Sequence, residues 1–136
     1  MTKAGWIMTA ILLLFLLPAS VAPKFIGAAA AVDALAEIDW PTRYLFLLGV
    51  IELACLVLFV VPRTGLLGAV LMTGLLGGAI ASHLRAGSPL LTHTLFGVYV
   101  GVFLWAALWL RDERLRALFP WQRSPAVERR AGIELV

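Results

Sequence analysis

Four stretches of this chain, residues 5–22, 44–61, 66–82 and 93–110, are apolar for close to the length a helix needs to cross a bilayer. About 30 Å of hydrocarbon at 1.5 Å per residue takes about 20 residues, and the usable range is roughly 17 to 25. Backbone groups find no water inside lipid, so each crossing segment must satisfy its own hydrogen bonds, as a helix does. The fold class expected is therefore all-α: an integral membrane protein built as a four-helix bundle.

Composition points the same way. The chain of 136 residues is 62% apolar and 14% charged, with a mean hydropathy of +0.96. A soluble chain of this size buries only about 70% of its surface, which would leave large apolar patches facing water. The net charge of +3 is scattered among apolar spans rather than gathered on a polar domain, so nucleic acid is not an expected partner and membrane lipid is. Cys55 has no second thiol to pair with, which excludes a disulfide framework and a cysteine metal cluster.

Turn signals separate the spans: Pro23-Lys24, Pro41-Thr42-Arg43, Pro62-Arg63-Thr64-Gly65 and Arg85-Ala86-Gly87-Ser88-Pro89. The second and third spans are joined by so few residues that they must be antiparallel neighbours. Within the longer first connection, residues 28–37 suit a short interfacial helix ahead of Trp40. Residues 1–119 then form the transmembrane domain and 120–136 a polar cytoplasmic tail. The first span also resembles a secretory signal with Ser20-Val21-Ala22 as the cleavage site, but Pro23 directly after it argues against cleavage.

Orientation follows from the basic residues. Lys3, Arg63, Arg111, Arg114, Arg116, Arg123, Arg129 and Arg130 lie on one side, against Lys24, Arg43 and Arg85 on the other. Eight against three places both termini in the cytoplasm of a cell inner membrane. Trp6, Trp40, Trp105 and Trp109 lie towards span ends, where indole rings anchor at the interface. The arginines after the fourth span are expected to set topology and touch anionic lipid.

Glu52 is the residue most in need of explanation, since it lies roughly 12 Å by helix rise from either end of the second span. A central charge costs roughly 2.5 to 3.5 kcal/mol on insertion scales, so such a group faces the bundle interior and handles protons, anchors a ligand or fixes a helix contact. His83 and His93 flank the connection before the fourth span. Their spacing matches no zinc-finger or helical metal signature, so no metal site is assigned. A hairpin there would bring the two rings together, with Arg85 nearby, above Glu52. Lys24 at the end of the first span suits snorkelling to headgroups or pairing with an acid. Gly74 with Gly78, and Gly97 with Gly101, have the four-residue spacing at which membrane helices pack closely. Thr73 can satisfy its hydroxyl on its own helix, and Cys55 suits a small packing position.

Three runs carry a resemblance: Leu48-Gly49-Val50-Ile51-Glu52-Leu53-Ala54; Val61-Pro62-Arg63-Thr64-Gly65-Leu66-Leu67-Gly68-Ala69; and Thr73-Gly74-Leu75-Leu76-Gly77-Gly78-Ala79-Ile80-Ala81-Ser82-His83-Leu84-Arg85. With His93, the run Arg111-Asp112-Glu113-Arg114-Leu115-Arg116-Ala117-Leu118-Phe119-Pro120 and Pro23-Lys24-Phe25, the chain resembles the DoxX-like family of small bacterial membrane proteins. The resemblance implies a four-helix membrane bundle and assigns no reaction to this chain. The family takes its name from a subunit of a thiosulfate:quinone oxidoreductase, and some relatives are associated with oxidative-stress defence. The positions that map onto the family pattern here are Lys24, Glu52, Arg63, His83, Arg85 and His93.

Two functions are weighed first. One is an outer-side polar pocket formed by Glu52, His83, Arg85, His93 and Lys24 that holds a quinone-like ligand, with His83 and Arg85 on carbonyl oxygens and Glu52 handling a proton. The other is a partner or assembly subunit, as a homo-oligomer or beside a membrane redox protein, organised by Glu52 and the glycine faces. A transporter or channel has less in its favour, because four short spans with one central acid and no inverted repeat make a thin pathway.

Overall fold

The computed structural model describes residues 2–118, so the expected tail over 120–136 lies outside the described residues. It is all-helical, with no strand among the described residues. Four helices are long and apolar enough to cross a membrane: α1 (Thr2–Ile26), α3 (Thr42–Val60), α4 (Gly65–Ala86) and α5 (Leu90–Arg111). Two short helices accompany them, α2 (Ala29–Glu37) after α1 and α6 (Glu113–Leu118) at the end.

The helices form a closed ring in which α1 packs on α5, α5 on α4, α4 on α3, and α3 on the C-terminal half of α1. The buried centre is aliphatic and aromatic, with Leu12 and Leu16 of α1, Leu56 and Phe59 of α3, Ala69 and Met72 of α4, and Leu104 and Leu108 of α5. Outward-facing residues are equally apolar: Leu14 is 77% exposed and Leu91 69%. A soluble bundle buries one apolar stripe per helix, whereas these helices are apolar all round, as lipid on the outside requires.

Two helix ends differ from the sequence expectation. Pro23 does not end the first span. The chain passes Pro23 in helical conformation because residues Leu17–Val21, which include Pro18, open into a π-helical turn that eases the clash of the Pro23 ring with the carbonyl four residues back. The reversal comes at Gly27, whose φ of 63° is left-handed and open to glycine. The third span also runs past residue 82 to Ala86 and stops at Gly87, φ 71°, so His83 and Arg85 belong to the last turn of α4 rather than to a loop.

The end of the bundle where α1 begins and α5 ends is its tightest part. Val61–Thr64 reverses the chain between α3 and α4, and a Cβ on Gly68 would fall on the Phe59 backbone. Gly5 meets the backbone of Ala107 and Arg111 in the same way. The close-approach glycines are therefore Gly5 and Gly68, not the pair expected in the third span. A Cβ at Gly74 or Gly78 would meet nothing within 4 Å, so neither packs against another helix of this chain. Gly97 does pack, since a Cβ there would lie 3.0 Å from Ile80, and a Cβ on Gly101 would make an ordinary contact at 3.8 Å with Leu76.

Arg111 corrects a further expectation. It is buried rather than set against lipid headgroups, with its guanidinium between the rings of Trp6 and Phe59, at 4.8 and 4.3 Å. It donates to the Phe59 carbonyl and to Thr9 Oγ1. The Phe59 carbonyl belongs to the last turn of α3, where the helix supplies no partner, and Thr64 Oγ1 serves the neighbouring Leu58 carbonyl in the same way at 2.9 Å. A cation at a helix C-terminus also meets the negative end of the backbone dipole. One side chain thus ties α1, α3 and α5 together.

Candidate functional site

Glu52 is 6% exposed, on the inner face of α3. Its partner is Lys24: Nζ donates to Glu52 Oε2 at 2.8 Å. The same ammonium donates to the Ser20 carbonyl at 3.0 Å and to Ser20 Oγ at 2.6 Å, which uses all three of its protons. Gly49 makes the pair possible. It lies one turn from Glu52 on the same face of α3, and a Cβ there would sit 3.0 Å from Lys24 Cβ. The absence of a side chain at this position lets the lysine stem lie against α3 without having to give way.

The pair forms part of the wall of a cavity of about 400 Å³ lined by residues of all four spans. Its wall is largely aliphatic and aromatic, including Leu48, Leu75, Ile80 and Phe96, with Trp40 and Ile38 from the first connection. Polar groups enter at two levels: Lys24, Glu52 and Ser20 form one, and His83, His93 and Ser82 the other.

The histidines do meet across the turn, as a hairpin requires. Their ring centroids are 5.9 Å apart and tilted edge to face. His83 Nδ1 lies 3.0 Å from Ser88 Oγ and His93 Nδ1 2.8 Å from Thr92 Oγ1, which leaves Nε2 of each ring as the atom open to a ligand.

Arg85 is placed differently from expectation. It does not line the cavity; it donates to the Ile38 carbonyl at 2.7 Å, fixing the end of α2 against α4. Beside it, Trp40 Nε1 donates to Ser82 Oγ at 3.2 Å. These two bonds hold the first connection over the end of the cavity at the last turn of α4. Arg85 stands outside the cavity wall and the three Lys24 protons are taken by Ser20 and Glu52, so the side chains left to meet a ligand are the imidazoles and the Glu52 carboxylate.

Sequence reasoning missed Ser20 and Trp40 as wall residues, because nothing in their neighbourhood marks which way they face. It also missed Gly49, although a glycine one turn from a buried acid is a signal that could have found it. Thr73 bonds back to the Ala69 carbonyl at 2.8 Å and also accepts from Trp105 Nε1 at 2.9 Å, so Trp105 is tied to α4 within the bundle. Cys55 is buried, as its small-residue position suggests.

Chemically, the cavity can hold a compact apolar group with hydrogen-bonding atoms at opposite ends. The imidazoles would meet one end, and the Lys24–Glu52 pair the other.

No curated protein and no solved structure matches the chain in the comparisons made. The DoxX-like family matches over residues 7–107, a segment that takes in the four spans almost to the end of α5 and every residue of the cavity wall. The chain is therefore a member of the DoxX-like family, a multi-pass membrane protein of four helices.

Proposed function

We propose that this protein binds a small lipophilic ligand of the quinone class in the cavity between its four helices, and that it serves membrane redox chemistry by holding that ligand for a partner that supplies the electrons. The observation that carries the reading is an ion pair set in the wall of an otherwise largely apolar cavity. Small-molecule sites of about 300–1,000 Å³ combine apolar walls with a few convergent polar groups, and this cavity falls within that range. A carboxylate kept in the bilayer at a cost needs a return, and a brace between two helices needs no cavity beside it.

In this scheme His83 and His93 hold one carbonyl oxygen of the ligand through Nε2. Glu52, steadied by Lys24, stands at the second oxygen and accepts or delivers its proton. The basic-residue asymmetry supports both termini on the cytoplasmic side of a bacterial inner membrane, with the cavity in the outer half.

The test is native mass spectrometry with lipid extraction on the detergent-purified protein, beside Glu52→Gln and His83→Ala. Retention of a discrete quinone by the parent, and its loss in both variants, is the expected result. Bulk lipid alone in all three would refute the reading.

A second reading, a non-catalytic assembly subunit, is favoured by one observation. Gly77, like Gly74 and Gly78, leaves α4 bare, with nothing within 4 Å of a Cβ there. Such a face admits a second membrane helix at close range. A discrete oligomer mass with no ligand would support it.

A further inference from the structure

We infer that the cavity opens sideways into the bilayer between α3 and α4, at Gly74 and Gly78, and that the opening passes the single hydrocarbon tail of a ligand whose polar head lies at the Lys24–Glu52 pair and the two histidines. This rests on the ligand reading above.

The two helices meet closely only at their inner end. Gly65 and Gly68 press on Phe59, and Met72 is the last buried residue of α4. Beyond it the cavity wall continues along Leu75 and Ala79. At 100° per residue, Gly78 and Gly74 come next round the helix on the side towards α3, away from Leu76 and Ile80, which meet Gly97 of α5. Both glycines line the cavity, both are exposed, and neither has another atom within 4 Å of a built Cβ. On the facing helix the wall is Leu48 and Glu52.

Depth decides what can pass. Gly74 and Gly78 stand roughly 14 and 20 Å by helix rise from the start of α4, near the middle of a hydrocarbon layer of about 30 Å. An opening there faces acyl chains rather than water. The outer end is covered instead, by the Trp40–Ser82 and Arg85–Ile38 bonds. One turn of bare backbone, roughly 6 Å high, suits one alkyl or prenyl chain and not the paired chains of a phospholipid. A side chain at either glycine would stand in the opening.

The experiment uses two benzoquinone probes, one without a tail and one with a ten-carbon tail carrying a photoreactive group at mid-chain. Both are measured on the full chain in nanodiscs. The variants are Gly74→Leu and Gly78→Leu, with Gly77→Leu as control, since Gly77 is equally open but does not line the cavity. The expected result is roughly tenfold weaker binding or more of the tailed probe in the first two variants, with the tail-less probe and the control unchanged. The photoreactive tail should label α3 and α4 around Leu48 and Gly78.

If both probes bind the parent and neither leucine variant discriminates between them, the side opening is refuted while the ligand site stands. If the parent binds neither probe, the ligand reading fails and takes this inference with it. A dimer mass lost in the leucine variants without ligand, or a diacyl lipid retained at this edge, would equally overturn it.

Discussion

Arg111→Met removes a cation that three helices share, while keeping most of its apolar stem. The guanidinium donates to the Phe59 carbonyl and to Thr9 Oγ1 at 3.3 Å, and lies against Trp6 and Phe59. Hydrogen bonds from a charged donor contribute about 1.5–3 kcal/mol each, the upper end needing better geometry than 3.3 Å provides. A cation over a ring adds about 0.5–2 kcal/mol. Relief from desolvating the guanidinium offsets several kcal/mol of this sum. Against that relief, the methionine leaves the Phe59 carbonyl buried without a partner, at about 1–3 kcal/mol. The net expectation is a loss of about 3 kcal/mol, judged from these opposing terms. Arg111→Lys keeps the charge but not the planar fork that stacks and donates together, so it should lose about half as much. Reversible unfolding of the detergent-solubilised protein by sodium dodecyl sulfate measures both. A change within about 0.5 kcal/mol for Arg111→Met, the scatter of an ordinary surface substitution, would refute the assignment of Arg111 as the tie between α1, α3 and α5.

Three further outcomes are expected. Gly68→Ala drives a Cβ into the Phe59 backbone and should cost about 3 kcal/mol, whereas Gly78→Ala meets nothing and should be neutral or gain up to about 1 kcal/mol from helix propensity; equal effects in the same unfolding assay would contradict the packing described. Lys24→Met strands a buried carboxylate and should destabilise by about 3 kcal/mol, most of it restored when Glu52→Gln is added, so a double-mutant cycle with no coupling would remove the pair. Thr94 Oγ1 is buried with no partner among the described residues, so Thr94→Val should be neutral or stabilising, and a clear drop in the unfolding midpoint would reveal a bond that the fold does not display.

The solvent of this protein, and with it the class of fold, can be read from the chain before any tertiary contact is known. Four apolar runs of bilayer length require helices because a backbone in lipid has no other partner than itself, and the short Pro62–Gly65 connection makes α3 and α4 antiparallel neighbours. Glu52 was legible as exceptional for the same reason: a charge at that depth stands against the surrounding composition. His83 and His93 were legible as a pair because ten residues containing Gly87 and Pro89 turn the chain back on itself. The direction in which each side chain points emerges only when the helices pack. An apolar helix in lipid carries no polar face to show which side points inward, so its sequence does not tell a wall residue from a lipid-facing one. Hence Arg85 turned to Ile38 rather than the cavity, Arg111 left the lipid surface for the core, and Gly74 and Gly78 met no other helix of this chain. Gly49, Lys24 and Glu52 come together only because α1, loosened at its π-helical turn, carries past Pro23 and crosses α3 at the one position that lacks a side chain.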